Sequence, residues 1–314
     1  MTEYRIVQET RDGVGVVTLE GEGGVARLVP EWGSNLFEFR AGESVLEPVA
    51  WEAIAAKPTS FGIPILFPYP NRIRDSRFTF RGRAFEVTPP QHGYVRQRPW
   101  TLVDAGSSPE DGAWAVTAFD ADDHPDVLAE FPFRFRIEAR HALRGRSLEL
   151  RYTISSLADE PFPFGFGLHP YFRWPPKGRV RVPAAARWEL EEKLPTGRVL
   201  PVDGRFDLRE GADLASAELD DILTSLDADE KGRVRCSVDD AEGATRTVVE
   251  FSRASFPHVV VYTAPEPRQA ICVEPMTVPT DAFNLEARGV DANVTVLEPG
   301  ASRTLEVRIA VESF

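Results

Sequence analysis

Apolar and polar residues alternate along several stretches of the chain, notably residues 133–139, 148–154 and 305–311. In each stretch an apolar side chain follows at every second position, with mostly charged or polar residues between. A period of two places one set of side chains on each face of a strand. These stretches are therefore predicted to be antiparallel strands, buried on one face and solvated on the other.

Short apolar runs bounded by turn residues predict further strands. A hairpin is expected where residues 78–80 and 84–87 flank Arg81-Gly82-Arg83, a short connection that contains glycine. The other predicted strands cover residues 13–20, 24–30, 113–119, 179–183, 246–252, 258–263 and 269–274.

Helical patterns are weak, and no amphipathic stretch reaches about 12 residues. Residues 51–56 and 212–219 are predicted as short helical turns, and the acidic stretches 120–126 and 227–231 as solvated loops. The 23 glycines and 26 prolines are scattered and do not gather into one linker. We therefore predict one all-β domain over residues 1–314, with few short helices.

The charge balance bears on possible partners. With 36 Lys+Arg against 49 Asp+Glu, the formal net charge is −13, which argues against a nucleic-acid or anionic-membrane binder because both need a basic surface. No apolar run approaches the roughly 18 residues of a membrane span, and the start lacks a secretory pattern. With only two cysteines, Cys236 and Cys272, a cytoplasmic protein that binds a small molecule is expected.

Two of the five histidines lie in segments suited to ligand binding. His92 follows a Pro-Pro turn and precedes a glycine, and His169 stands in Gly165-Phe166-Gly167-Leu168-His169-Pro170-Tyr171-Phe172 among glycines and aromatic residues. Aromatic faces pack on the apolar faces of sugars, and small residues leave room for them. Taken singly, a histidine in such a segment is more often a hydrogen-bonded structural residue.

Two other segments carry polar side chains in positions that favour a site. Glu274 follows the apolar run Ala270-Ile271-Cys272-Val273, where a buried carboxylate is either a satisfied structural anion or a site residue. Asn71 and Arg72 place an amide beside a guanidinium, a pair suited to sugar hydroxyls, although the segment could be an ordinary turn.

Together these four segments resemble the aldose 1-epimerase (galactose mutarotase) family. The resemblance rests on Asn71-Arg72-Ile73, His92-Gly93, Leu168-His169-Pro170-Tyr171-Phe172 and Glu274-Pro275-Met276-Thr277 with Asp281-Ala282 and Asn284, which occur in the family's order over roughly residues 15 to 312. The motifs Leu168-His169-Pro170-Tyr171-Phe172 and Glu274-Pro275-Met276-Thr277 resemble those of bacterial branches that act on less usual sugars more than those of the galactose enzymes. The resemblance implies a large twisted antiparallel β-sandwich and an isomerase that interconverts the α and β anomers of an aldose.

The resemblance also implies residue roles and no cofactor. Glu274 would be the general base at the C1 hydroxyl and His169 the general acid at the ring oxygen, with His92, Asn71 and Arg72 orienting the sugar. An aspartate should bind a hydroxyl, and Asp220 is favoured over Asp221. Some relatives that act on hexose phosphates carry an arginine where Arg96 stands, in a stretch, residues 71–98, with seven arginines and two acidic residues.

Several alternatives stay open at this point. His92, His169 and Glu274 could form a two-histidine, one-carboxylate metal site, although their spacing gives no second sign of a metal. A non-catalytic carbohydrate-binding protein would lack an acid or a base, and a glycoside hydrolase would need a second carboxylate, for which Asp220 is the only candidate. The substrate is expected to be a sugar, neutral or anionic, and the protein a monomer or homodimer.

The remaining histidines and the cysteines are expected to serve structure. His124, in an acidic loop, and His141, at a strand end, are predicted at the surface. His258, at a strand start, is predicted to be structural. Cys272 is expected in the core, and Cys236 has no base beside it in the sequence.

Overall fold

A computed structural model of the protein describes residues 3–265, 268 and 270–314. Its three α-helices have six residues each and are α1 Trp51–Ala56, α2 Pro125–Glu130 and α3 Ala282–Ala287. The strands in chain order are β1 Arg5–Arg11, β2 Val14–Gly21, β3 Gly24–Val29, β4 Asn35–Ala41, β5 Glu43–Ser44, β6 Ile65–Leu66, β7 Arg77–Phe80, β8 Arg83–Glu86, β9 Thr101–Ser108, β10 Gly112–Asp120, β11 Phe135–Arg144, β12 Ser147–Ser156, β13 Phe162–Phe164, β14 Gly167–Leu168, β15 Tyr171–Arg173, β16 Gly178–Arg181, β17 Ala184–Glu191, β18 Leu194–Pro201, β19 Ala212–Asp213, β20 Asp220–Leu226, β21 Arg233–Asp240, β22 Thr245–Ser252, β23 His258–Thr263, β24 Ala270–Met276, β25 Thr295–Leu297 and β26 Ser302–Ser313.

Most strands belong to three antiparallel sheets. Nine strands form one sheet in the order β19-β16-β21-β22-β26-β12-β11-β10-β9. Eight form a second in the order β18-β17-β20-β23-β24-β14-β6, with β15 also paired to β24, and β1 to β5 form a third in sequence order. Two further two-stranded sheets, the β7-β8 hairpin and the antiparallel pairing of β13 with the sequence-distant β25, complete the described sheets. Among the described residues, no helix is long and apolar enough to cross a membrane.

The main core packs the large sheets together. One hydrophobic cluster contains Leu19 of the five-stranded sheet, Ile137 and Leu150 of the nine-stranded sheet, and Val261 and Val273 of the eight-stranded sheet. Each of these lies on the inward face of its strand, because alternate side chains point to opposite faces. The arrangement is the predicted antiparallel β-sandwich, in which the sheets bury their apolar faces against one another.

The structure confirms most of the predicted elements. The three alternating stretches lie in or beside β11, β12 and β26, and the expected hairpin is β7-β8, closed by Arg81 and Gly82 with positive φ angles of 48° and 78°. The helical turn at 51–56 is α1. Each further predicted strand overlaps an observed one, although residue 269 of the predicted strand 269–274 lies outside the described residues.

Two predictions are wrong and one holds only in part. The predicted helical turn at 212–219 is limited to a 3-10 turn at Leu214–Ser216, because the residues before it form β19, which pairs with β16. The acidic stretch 120–126 is not wholly loop, since α2 begins at Pro125, the residue type favoured at the first helical position. His141 is only 1% exposed, because β11 runs on to Arg144 and keeps this histidine on the buried face.

Candidate active site

The outer face of the eight-stranded sheet carries the residues of the candidate site. Along β24, Ile271 and Val273 point into the main core, so Cys272 and Glu274 point to the opposite face. Glu274 is nevertheless only 2% exposed. The alternation along β24 thus places the Glu274 carboxyl group outside the main core, in a position shielded from solvent.

Strand pairing decides which aspartate joins Glu274. Val260 of β23 pairs with Glu274, and Asp220 of β20 pairs with Tyr262, so these residues share the outer face. Asp221 points the other way, and its Oδ2 accepts a hydrogen bond from Arg205 Nη1 at 2.7 Å. Asp220 lines the cavity beside Glu274, and its Oδ2 lies 2.9 Å from Lys193 Nζ.

His169 follows the short strand β14, which pairs with both β24 and β6. The His169 backbone N–H donates to the Pro64 carbonyl at 3.1 Å, fixing the chain at this point. His169 Nε2 then lies 3.4 Å from Glu274 Oε1. The imidazole stacks on the Tyr171 ring, with centroids 4.5 Å apart and planes 18° from parallel. This contact holds the imidazole beside the carboxyl group.

Asn71 and His92, both in left-handed conformations, hold together another part of the cavity wall. Asn71 and His92 have φ angles of 58° and 66°. The His92 N–H donates to the Asn71 carbonyl at 2.7 Å, and the Asn71 N–H donates to His92 Nδ1 at 3.2 Å. Arg72 Nη1 donates to Asn71 Oδ1 at 3.0 Å. The two segments, 21 residues apart in sequence, therefore form one rigid unit.

Asp281 supports this unit from the loop that follows β24. Its N–H donates to the Arg72 carbonyl at 2.8 Å, and its Oδ1 accepts hydrogen bonds from the Arg74 N–H at 2.9 Å and from Asn284 Nδ2 at 2.6 Å. Asp281 is 1% exposed. The segment after Glu274 is therefore bonded to the segment after Asn71, which places two sequence-distant parts of the site in register.

Gly93 is required by the close approach of two backbones beside His92. Its φ is +65°, and a Cβ there would lie 2.0 Å from the Phe67 carbonyl oxygen. We expect Gly93→Ala to lower the free energy of unfolding by about 2–4 kcal/mol, combining left-handed strain with a backbone clash. Gly82→Ala is the matched control, because Gly82 has φ +78° but open space around it, and should cost about 1 kcal/mol. Equal losses in urea titrations of the two variants would contradict this reason.

The structure brings six of the seven predicted site residues to one cavity of about 200 Å³. They are Asn71, Arg72, His92, His169, Asp220 and Glu274. The seventh, Arg96, is not part of the cavity wall. It lies behind the histidines, where its Nη1 approaches the Thr59 carbonyl at 3.5 Å, and its charge lowers the pKa of both His92 and His169.

Burial sets the protonation of the central pair. Desolvation, followed by the charge of Arg96, lowers the pKa of His169 to about 3. Desolvation, followed by the negative charge of Asp220, raises the pKa of Glu274 well above its usual value. Both shifts favour neutral forms, so between the lowered pKa of His169 and the raised pKa of Glu274 the two groups together hold one proton. An acid and a base that share a proton are suited to proton transfer.

His92 is also held neutral. Its pKa is lowered well below the usual value by burial first, and then by electrostatic repulsion from His169, Arg96 and Arg72. Its Nδ1 accepts the Asn71 N–H, which is consistent with a neutral ring. A neutral imidazole can exchange hydrogen bonds with sugar hydroxyls without adding a charge to the site.

The metal site considered from sequence is not the group that the structure assembles. His169, Cys272 and Glu274 offer ligand atoms within 4.8 Å of one another, and His92 is not part of this group. Burial raises the pKa of the Cys272 thiol well above its usual value, which opposes the thiolate that a metal would bind. Cys272 nevertheless lies beside His169 and Glu274. The sequence predicts it only as a core residue.

Tyr171, Lys193 and Tyr262 also line the cavity, with Gln91 and Val260, and were not predicted as site residues. Tyr171 was visible in the sequence as the aromatic residue after His169. Lys193 lies in the two-residue turn between β17 and β18, with φ +67°, and a lysine in a turn ordinarily indicates only a solvated tip. Tyr262 could be placed only once the register between β20 and β23 was known.

The arginine-rich stretch 71–98 is largely neutralised by ion pairs, four of them with acidic residues from outside the stretch. Five of its seven arginines form ion pairs with carboxylates, namely Arg74 with Asp281, Arg77 with Glu86, Arg81 with Glu298, Arg83 with Glu160 and Arg98 with Asp126. Within the described part of the chain, Arg72 and Arg96 have no carboxylate partner. The stretch therefore is not a continuous anion-binding patch.

Comparisons with solved structures show that the fold is shared with known proteins. A galactose mutarotase-like protein from Clostridium acetobutylicum has a TM-score of 0.90 at 22% identity, over 99% of each chain. A galactose 1-epimerase from Lactobacillus acidophilus NCFM has a TM-score of 0.76 at 15% identity, over 100% of this chain and 99% of that one. At these identities the likeness is one of fold.

Sequence comparison gives two further matches. The uncharacterized protein YphB of Escherichia coli (strain K12) is 25% identical over 138 residues, which cover 42% of this chain and 44% of YphB. The match thus spans less than half of that relative. A family model described as Aldose 1-epimerase matches residues 15–310, nearly the whole chain and all four site segments. The chain belongs to the aldose 1-epimerase family.

Proposed function

We propose that the protein interconverts the α and β anomers of a hexose or related aldose by opening and closing the sugar ring. The observation that carries this proposal is the contact of His169 Nε2 with Glu274 Oε1 at 3.4 Å, in a cavity lined by hydrogen-bonding groups. Anomer exchange needs one group to take a proton at C1 and another to give one at the ring oxygen. It requires no change in oxidation state and no group transfer.

Proton transfer between the pair makes both steps available. When the shared proton is on His169, the Glu274 carboxylate takes the proton of the C1 hydroxyl. The electrons of the O–H bond form the C1 carbonyl, the bond from C1 to the ring oxygen breaks, and His169 protonates that oxygen. Opening leaves the neutral pair that burial favours. After rotation about C1–C2, the reverse transfers close the ring to the other anomer.

The other cavity residues are suited to orient the sugar. Arg72 and Asn71 donate and accept hydrogen bonds from a rigid turn, and His92 offers a neutral imidazole. Asp220, held by Lys193 at 2.9 Å, can accept a bond from a hydroxyl remote from C1. Fixed donors and acceptors of this kind favour one ring orientation and so bring C1 to Glu274.

The pH dependence of kcat/KM follows from the shared proton. Below the lowered pKa of His169, about 3, both groups are protonated and the base is lost. Above the raised pKa of Glu274, both groups have lost the proton and the acid is lost. We expect the acid limb near the lowered His169 value, and full activity from there up to the raised pKa of Glu274. An acid limb with its midpoint near pH 6.5, the ordinary value for histidine, would contradict this assignment.

Asp220→Asn tests the electrostatics of the basic limb. Because the Asp220 carboxylate helps to raise the pKa of Glu274, its removal should move the basic limb to lower pH. Asp221→Asn is the matched control, since the Asp221 carboxylate is turned away to Arg205. A basic limb that stays in place in Asp220→Asn, or moves equally in both variants, would show that Asp220 does not act on Glu274.

The proposed activity is tested by polarimetry on a panel of freshly dissolved neutral aldoses, after subtraction of the spontaneous rate. Acceleration of at least one sugar, with methyl glycosides of the same sugar left unchanged, supports the proposal. A methyl glycoside has no free C1 hydroxyl and cannot exchange its anomers by ring opening. Binding without acceleration would indicate a carbohydrate-binding protein, and cleavage of the glycoside a hydrolase.

A hexose with an anionic substituent is the second candidate substrate. The observation that favours it is the guanidinium of Arg72, which lines the cavity without a carboxylate partner among the described residues and is suited to phosphate or carboxylate. Hexose 6-phosphates belong in the same panel. If they are preferred, Arg72→Gln should raise their KM more than that of the neutral hexose.

Other features of the proposal stay predictions from the sequence. They are a cytoplasmic location, a monomeric or homodimeric state and one domain spanning the chain. Cys236 and Cys272 are both buried and free, which is compatible with a reducing compartment. Size-exclusion chromatography with light scattering would measure the oligomeric state.

A further inference from the structure

The cavity adjoins a larger cleft. Lys193, Asp220 and Tyr262 form a wall common to both. The cavity has a volume of about 200 Å³ and the cleft one of about 1030 Å³. Small-molecule sites commonly measure about 300–1,000 Å³, so the cavity alone is small for a complete site and the cleft supplies the remaining space.

Position within the cavity decides which part of a sugar would face the cleft. Glu274 and His169, where C1 must lie under the proposed function, line the cavity but not the cleft. Asp220 lines both. A sugar with C1 at Glu274 would therefore direct ring positions remote from C1 past Asp220 toward the cleft. A substituent at those positions is compatible with a free C1 hydroxyl.

The chemistry of the cleft favours an uncharged, hydroxyl-rich ligand. Trp174 and Tyr262 provide aromatic surface, which packs on the apolar faces of sugars. The charged side chains of the lining are two cations and three carboxylates, Lys193, Arg205, Asp213, Glu218 and Asp220. One of the cations, Arg205, is already paired with Asp221. A phosphate or other anion would meet more negative than positive charge here.

We propose that the cleft binds a second sugar ring, so that the preferred substrate is a reducing disaccharide or longer oligosaccharide whose reducing-end ring occupies the cavity. This inference rests on the proposed function, because it places C1 at Glu274. The second ring packs against Trp174 and Tyr262, and its hydroxyls bond to the polar groups of the wall. The added contacts raise kcat/KM for the disaccharide above that for its reducing-end hexose.

The test compares anomer exchange of glucose and galactose with that of 1,4- and 1,6-linked reducing disaccharides that carry the same reducing ring. For each pair, the measured quantity is the ratio of kcat/KM for the disaccharide to kcat/KM for the hexose. In the unmodified protein, we expect this ratio to exceed one for at least one linkage. Trp174→Ala should lower the ratio by at least tenfold.

Trp174 packs partly against the main core, so a second variant guards against misfolding. Ala215 is exposed and lines the cleft, and Ala215→Trp should fill the cleft and lower the same ratio. Ala84→Trp, an exposed position on β8, is the matched control and should leave the ratio unchanged. The inference is overturned if hexoses exchange but no disaccharide exceeds its hexose, or if neither cleft variant moves the ratio. Failure to accelerate any sugar would instead refute the proposed function.

Discussion

Replacement of Glu274 by glutamine is expected to lower kcat for anomer exchange by about 10²- to 10⁴-fold, the usual contribution of a positioned acid or base. Glutamine matches the size of the side chain and can still hydrogen-bond, but it cannot take a proton from the C1 hydroxyl. Glu274 is 2% exposed and burial favours its neutral form. A neutral amide should therefore fit the same space, with thermal stability preserved.

The matched control for this variant is Glu306→Gln. Glu306 lies on β26, and its carboxylate pairs with Arg151 on the solvated face of the nine-stranded sheet, where an exposed ion pair contributes little to stability. This variant should keep kcat within about twofold of the unmodified protein. If Glu274→Gln retained more than a tenth of the unmodified kcat, the base would have to be another group.

His169→Asn should likewise lower kcat by about 10²- to 10⁴-fold, because an amide cannot protonate the ring oxygen. Exchange should be measured by polarimetry at saturating sugar, so that a weaker affinity does not obscure the chemical step. The variant also loses the stacking of the imidazole on Tyr171, 4.5 Å away. Thermal unfolding should accompany the kinetics, to separate a lost acid from a displaced Tyr171.

Chemical rescue distinguishes the two causes further. His169→Gly leaves a space beside Glu274 that free imidazole can enter, and added imidazole should restore part of the lost kcat. For the loss of kcat in His169→Asn, the matched control is His124→Asn, because His124 stacks on Phe119 at 4.4 Å and does not line the cavity. A loss in His169→Asn no greater than that in His124→Asn would remove His169 from the proposed chemistry.

The fold was largely predictable because most of its strands are buried on one face. The alternation through residues 133–139 reports a sheet with one solvated side, a pattern that depends only on local sequence. The exceptions have physical causes. His141 keeps the parity of Ile137 and Ala139, but β11 runs beyond the apolar stretch, so its face was misassigned. Helices of six residues such as α2 and α3 are too short to display a period of 3.6.

The candidate site was predictable only where a residue lay in a conspicuous segment. His169 among glycines and Glu274 at the end of an apolar strand could be singled out, and the family resemblance grouped them. Lys193 could not, because a turn lysine reaches the cavity only through the pairing of β17 with β18 and β20. The sequence predicts that Arg96 binds substrate. Its backbone packs closely against Gly33, where a Cβ would clash with it, and its side chain lies behind the histidines and not in the cavity wall.

The proposed activity is tested most directly by magnetisation exchange between the two anomeric proton resonances of a sugar at chemical equilibrium, measured by NMR with catalytic amounts of protein. We predict exchange that is faster than the spontaneous rate, proportional to protein concentration, and reduced by about 10²- to 10⁴-fold in Glu274→Gln. Exchange at the spontaneous rate for every neutral and anionic aldose tried, with folded protein, would contradict it.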